Sequence, residues 1–109
     1  MDKEIRKVDD IRDDISKIDY QIAELLEKRM GFAAELALSK KAAGESIYNK
    51  NKEDEKMSDI TKNRSNPFVV KGLEEIFIQM MSISRKYQYH MVHQRDRYIE
   101  NYFTEVPEL

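Results

Sequence analysis

Apolar residues recur at Val8, Ile11, Ile15, Ile18, Ile22 and Leu25, pass over position 29, and resume at Phe32 and Leu36. Alternating steps of three and four keep them on one helical face, so the run predicts a single amphipathic helix over residues 5–42. No proline interrupts it. Its weak point is Gly31, which disfavours helix by about 1 kcal/mol relative to Ala and needs a packing reason.

A helix of about 38 residues is roughly 57 Å long. A globule of 109 residues would be only about 35 Å across. The stripe therefore outruns any core the chain could build alone, and a second copy of the chain is expected to cover the overhang.

The helix stops at Lys40, Lys41, Ala42, Ala43 and Gly44, with cations in the last turn and glycine just beyond. Lys41 is read as complementing that helix's own dipole. After a connection over residues 45–48, either Asn49 or Asn51 can cap a second helix running to about Lys62, with Asp54 three residues after Asn51 as a variant capping box. Met57 and Ile60 are its only inward apolar pair, so it needs docking to be stable. A polar break at residues 63–66 ends in Asn66 and Pro67, an N-cap followed by the first helical position. The third helix carries Leu73, Phe77 and Met80, then Ser84 and Gln88, then Met91 on one face. Two neutral hydrogen-bonding side chains thus interrupt its stripe one turn apart. The competing reading is that Ser84 bonds back to its own helix and Gln88 tilts into solvent. The expected fold class is all-α, with three helices per chain and a second copy of the chain along the first. It forms one domain over residues 1–109, with a core of about 5–97 and a tail of 98–109.

Composition narrows the function. The chain is 40% hydrophobic and 37% charged, with a net charge of −2 and both signs interspersed, so no basic field points to nucleic acid. Arg85, Lys86, Arg95 and Arg97 are read as cations complementing the end of the third helix. There is no cysteine, which removes disulfides, thiolate metal sites and a cysteine nucleophile, and suits a reducing compartment. The first residues lack the apolar segment of a signal peptide, and no apolar run could span a membrane, so a cytoplasmic protein is expected. His90 and His93 stand three apart with no carboxylate or thiol completing a metal set, and are read as surface residues. The methionines and tyrosines read as packing. No cofactor and no metal is expected.

What remains is a set of cations placed in line with apolar seams. Arg29 occupies the skipped position of the first stripe, where a charge needs an anion, a carboxylate or water. The competing reading is an arginine snorkelling past the seam or pairing with Glu24. Lys40, 11 residues on, comes within about 20° of Arg29's direction on the helix. Arg12 is roughly 25 Å from Arg29 along the axis, too far to share one small ligand within a chain. An antiparallel partner helix would return its Arg12 to that region. Inward cations and amides, without a Ser/His/Asp set or a phosphate loop, suggest an anion handled by electrostatics alone.

One ordered string of residues is more specific than any of these pieces. It comprises Ile11-Arg12, Ile18-Asp19, Leu25-Leu26-Glu27-Lys28-Arg29, Lys40, Gly44 with Ile47-Tyr48-Asn49, Lys52-Glu53, and Ser84 with Gln88. Over residues 8–91 the chain resembles the all-helical chorismate mutases. The resemblance implies an intertwined homodimer of three helices per chain, with shared active sites, that converts chorismate to prephenate in the shikimate route to Phe and Tyr. Carried over by position, Arg29 and the partner chain's Arg12 would grip the substrate's two carboxylates. Lys40 and Gln88 would donate to the ether oxygen, Glu53 would meet the ring hydroxyl, and Ser84 would assist at a carboxylate. Asn49 stands where Asp is common in that family, Lys52 where Arg is common, and Ser46 where Pro is frequent. Asn49 can still meet the hydroxyl through its backbone, whereas Lys52 lacks the bidentate fork of an arginine. Alternative readings are an isochorismate pyruvate lyase, a non-catalytic regulatory or dimerisation module attached to a partner enzyme of aromatic biosynthesis, and a plain coiled-coil adaptor. The stretch 48–55, with Glu53 after Lys52, looks more like a mutase than a lyase.

Overall fold

A computed structural model describes residues 4–93. It contains three helices: α1 (Val8–Ala43), α2 (Lys50–Thr61) and α3 (Pro67–His93). Among the described residues there is no strand, and no helix is long and apolar enough to cross a membrane. The tail from Tyr98, with Arg95 and Arg97, lies outside the described residues.

The long first helix forms as the periodicity requires, beginning three residues later than expected, where Asp9 and Asp10 place negative charge in its positive first turn. Contacts divide the chain into Met1–Phe32 and Ala33–Leu109. Within the first unit Val8, Ile11, Ile15, Ile18, Ile22 and Leu25 are all exposed. Nothing lies within 4 Å of a β-carbon built on Gly31, so the described chain supplies no packing reason for that glycine. Arg6 bonds Asp14 at 2.7 Å on the helix surface, and this bond, then the guanidinium charge, holds the Asp14 carboxyl below its ordinary range.

The second unit holds the buried residues: Ala33 and Ala37 at the end of α1, and Met81, Ser84 and Gln88 on α3. α2 packs on α3. It turns Glu53, Met57, Ile60 and Thr61 inward, a face at i, i+4, i+7 and i+8, and none of the four is fully buried. Asn49 is the cap of α2, its side-chain oxygen accepting the Lys52 N–H at 3.1 Å. The Asn51 alternative falls away, and with it the capping box. Asp54 instead bonds Lys50 at 2.6 Å, offsetting a cation at the positive end of the helix and raising the lysine's pKa through that bond and the carboxylate charge. Asn66 caps α3 through the Phe68 N–H at 2.9 Å.

α1 closes with a Schellman motif. The Glu45 N–H donates to the Lys40 carbonyl at 2.8 Å and the Gly44 N–H to the Lys41 carbonyl at 3.2 Å, with Gly44 at φ +70°. Lys41 also departs from its expected role, since its ammonium reaches the Val92 carbonyl at 3.5 Å in the last turn of α3. It thereby complements a second helix's orphan carbonyls rather than its own.

A β-carbon at Gly44 would meet no atom within 4 Å, so only backbone strain opposes a side chain there. Gly44→Ala should therefore lower stability by about 1 kcal/mol, read as a lower urea midpoint at unchanged slope. An unchanged midpoint would show that the loop does not depend on the left-handed glycine.

Candidate functional site

The Schellman turn sends the chain back past Lys40, and Lys40 answers with its side chain. Its Nζ donates to the Ile47 carbonyl at 2.7 Å and to Gln88 Oε1 at 3.3 Å. An ammonium only donates, so the amide oxygen of Gln88 has to face it, and the amide nitrogen faces away. That nitrogen donates to Ser84 Oγ at 3.2 Å, one turn back on α3. Ser84 and Gln88 are both buried. The reading that placed Gln88 in solvent is overturned, because an amide bonded at both ends costs less inside than an unpaired one.

Counting donors shows what this row can do. Two of the three Lys40 protons are engaged, one of the two Gln88 amide protons is engaged, and the Ser84 oxygen accepts while its own proton remains. Each member keeps one donor. The row is therefore suited to an oxygen-rich anion with more than one acceptor.

Glu53 belongs to the same unit. It pairs with Arg85, a contact half-hidden from solvent, with side-chain exposures of 25% and 29%. The Arg85 guanidinium also lies over the Tyr48 ring, 5.0 Å from its centre. Arg85 corrects the sequence reading, which took it as a solvated cation at a helix end. Positions 81, 84, 85 and 88 share one helical face, and that spacing was the available signal.

Other expected residues lie differently. The Lys52 ammonium is 3.7 Å from Glu55 with its side chain 76% exposed. Asn49 uses its side-chain oxygen to cap α2. In the first unit, Arg29 is half-buried and makes no ion pair among the described residues, so the Glu24 pairing is absent. Arg12 lies 3.8 Å from Asp9 with a 75% exposed side chain. His90 differs from its surface reading. It is half-buried against Tyr87, with Nδ1 enclosed and unbonded. His93 is exposed. Among the described residues no group of three or more His, Asp or Glu could hold a metal.

No curated protein and no solved structure matches the chain. The sequence profile of the family described as chorismate mutase type II does match, over residues 11–89. That span takes in the first helix from its second turn, all of α2, and α3 through Tyr89, well over half of the chain. The chain belongs to the chorismate mutases of type II, isomerases that convert chorismate to prephenate.

Proposed function

We propose that this chain converts chorismate to prephenate as a homodimer, with the Lys40–Gln88–Ser84 row at the reacting oxygen and Arg12 supplied by the partner subunit. The observation that carries the proposal is the Lys40 ammonium, fixed between the Ile47 carbonyl and the Gln88 amide with one proton unengaged.

The chemistry asks little of the protein except placement. In this concerted rearrangement the ether C–O bond breaks ahead of full C–C bonding, and negative charge builds on the oxygen. A donor already in place stabilises that charge more than it stabilises the ground state, which is the condition for a higher rate. Lys40 donates to the ether oxygen, and Gln88 supplies its second amide proton to the same atom. Ser84 donates its hydroxyl proton to a substrate carboxylate. Arg29 and the partner subunit's Arg12 hold the two carboxylates, so the flexible enolpyruvyl arm stays over the ring, where orientation provides much of the acceleration. Glu53 accepts from the ring hydroxyl, with Asn49 and Lys52 at the outer edge of that side. No proton transfer and no cofactor enters this scheme.

Dimerisation is supported by what is missing from the core. Only three apolar residues are buried among those described, while seven on the first unit's stripe are exposed. So little burial falls short of the ordering entropy of the chain, and a second copy laid along the stripe is the simplest source of the rest. Interspersed charge, the lack of cysteine and the absence of a membrane-spanning helix among the described residues support a cytoplasmic setting. Nothing favours the lyase or the non-catalytic alternatives.

The direct test is the loss of chorismate absorbance with purified protein. Lys40→Ala should lower kcat by about 10² or more while the dimer stays folded, the usual effect of losing one oxyanion-type donor. Wild-type turnover in that variant would remove Lys40 from the mechanism. Mixing Arg12→Ala with Arg29→Ala should restore part of the activity each has lost, since a mixed dimer regains one complete site. Absence of any recovery would place both arginines in a site built from one chain.

A further inference from the structure

Arg85 is a half-buried cation that the scheme above leaves without a task. It stands where three pieces of the second unit meet: Tyr48 in the loop after α1, Glu53 in the first turn of α2, and α3 itself. Tyr48 follows Ile47, whose carbonyl holds Lys40, and Ser84 precedes Arg85 and takes the Gln88 amide.

We infer that Arg85 is a positioning residue for the mutase reaction: it fixes Glu53 and balances its charge, so that a carboxylate can serve as hydroxyl acceptor beside a dianionic substrate. The inference rests on the mutase reading. A bare carboxylate in a site for a dianion repels what the site is meant to hold, and a half-buried one repels it more strongly than one in water. Paired with a guanidinium, Glu53 keeps acceptor capacity on its carboxylate while the pair as a whole is neutral. A lysine would serve less well. The guanidinium carbon lies over the Tyr48 ring while one of its N–H groups donates to Glu53, a division between a delocalised centre and a fork of donors that a compact ammonium does not offer. The pair is also a polar tie between α2 and α3, and α2 has no fully buried residue of its own, so the aim of Glu53 depends on it.

A role exercised through Glu53 differs from a structural one in steady-state kinetics of the full-length chain with chorismate. Arg85→Ala should raise KM tenfold or more and change kcat less than threefold, because the unbalanced Glu53 carboxylate then repels the dianion as it binds. In a Glu53→Gln background there is no charge left to balance, so Arg85→Ala should add less than threefold to the loss in kcat/KM. Arg85→Lys should recover part of the KM, since it restores charge without the stacked fork. Should Arg85→Ala fail to fold by circular dichroism, Arg85→Gln, which keeps length and loses charge, takes its place with the same expected KM. A wild-type KM in the neutral variant, or losses that multiply in the double variant, would overturn the role of Arg85 while leaving the mutase reading intact. A wild-type chain without chorismate turnover would overturn both.

Discussion

An ammonium offers protons in three directions and accepts none, and that one-sidedness organises the second unit. Because Lys40 is held at the end of α1, the loop has to bring the Ile47 carbonyl to it and α3 has to bring the Gln88 oxygen. With the oxygen committed, the amide nitrogen turns to Ser84. The left-handed Gly44 lets the chain reverse so that the Glu45 N–H caps the carbonyl of that same lysine. Backbone closure and side-chain network therefore share Lys40, and its ammonium is held from two sides.

The second constraint is the shortage of apolar burial. Ala33, Ala37 and Met81 are the buried apolar residues among those described, and two of them are the smallest apolar side chain that a core can use. Small residues at the end of α1 suit close approach of a neighbouring helix, and they contribute little hydrophobic free energy. The large side chains, Ile15, Ile18, Ile22, Leu25 and Phe32 among them, stand on the exposed stripe of the same helix. One helix thus carries Lys40 near one end and a run of exposed large apolar side chains along the rest.

How far the sequence foretold this varies with the kind of information. Periodicity located α1 to within a few residues, because a stripe over many turns averages out local ambiguity, and Asn66 with Pro67 placed the start of α3. The choice between Asn49 and Asn51 as cap was open, since two asparagines two apart satisfy the same rule and only the local backbone selects one. Side-chain direction was the larger gap. Lys52 adjoins Glu53 in the chain and Arg85 meets it across a helix pair, and the sequence alone did not join that second pair. The structure gives Glu53 to Arg85 and turns Lys52 outward to Glu55. His90 was missed for the same reason: exposure depends on what packs against the end of α3, which its own sequence does not state.

In the proposed site charge accounting counts for more than any reactive group. Each member of the Lys40–Gln88–Ser84 row keeps an unengaged proton, and the task proposed for the Glu53–Arg85 pair is that of an acceptor without added net negative charge. A substrate with two carboxylates, an ether oxygen and a hydroxyl needs that combination of fixed donors and one neutralised acceptor. A reaction that transfers no proton gains nothing from a titrating group in the path. It gains from dipoles and charges that are already aimed, and the bonds holding Lys40 and Gln88 to their own chain are what keep them aimed before the substrate arrives.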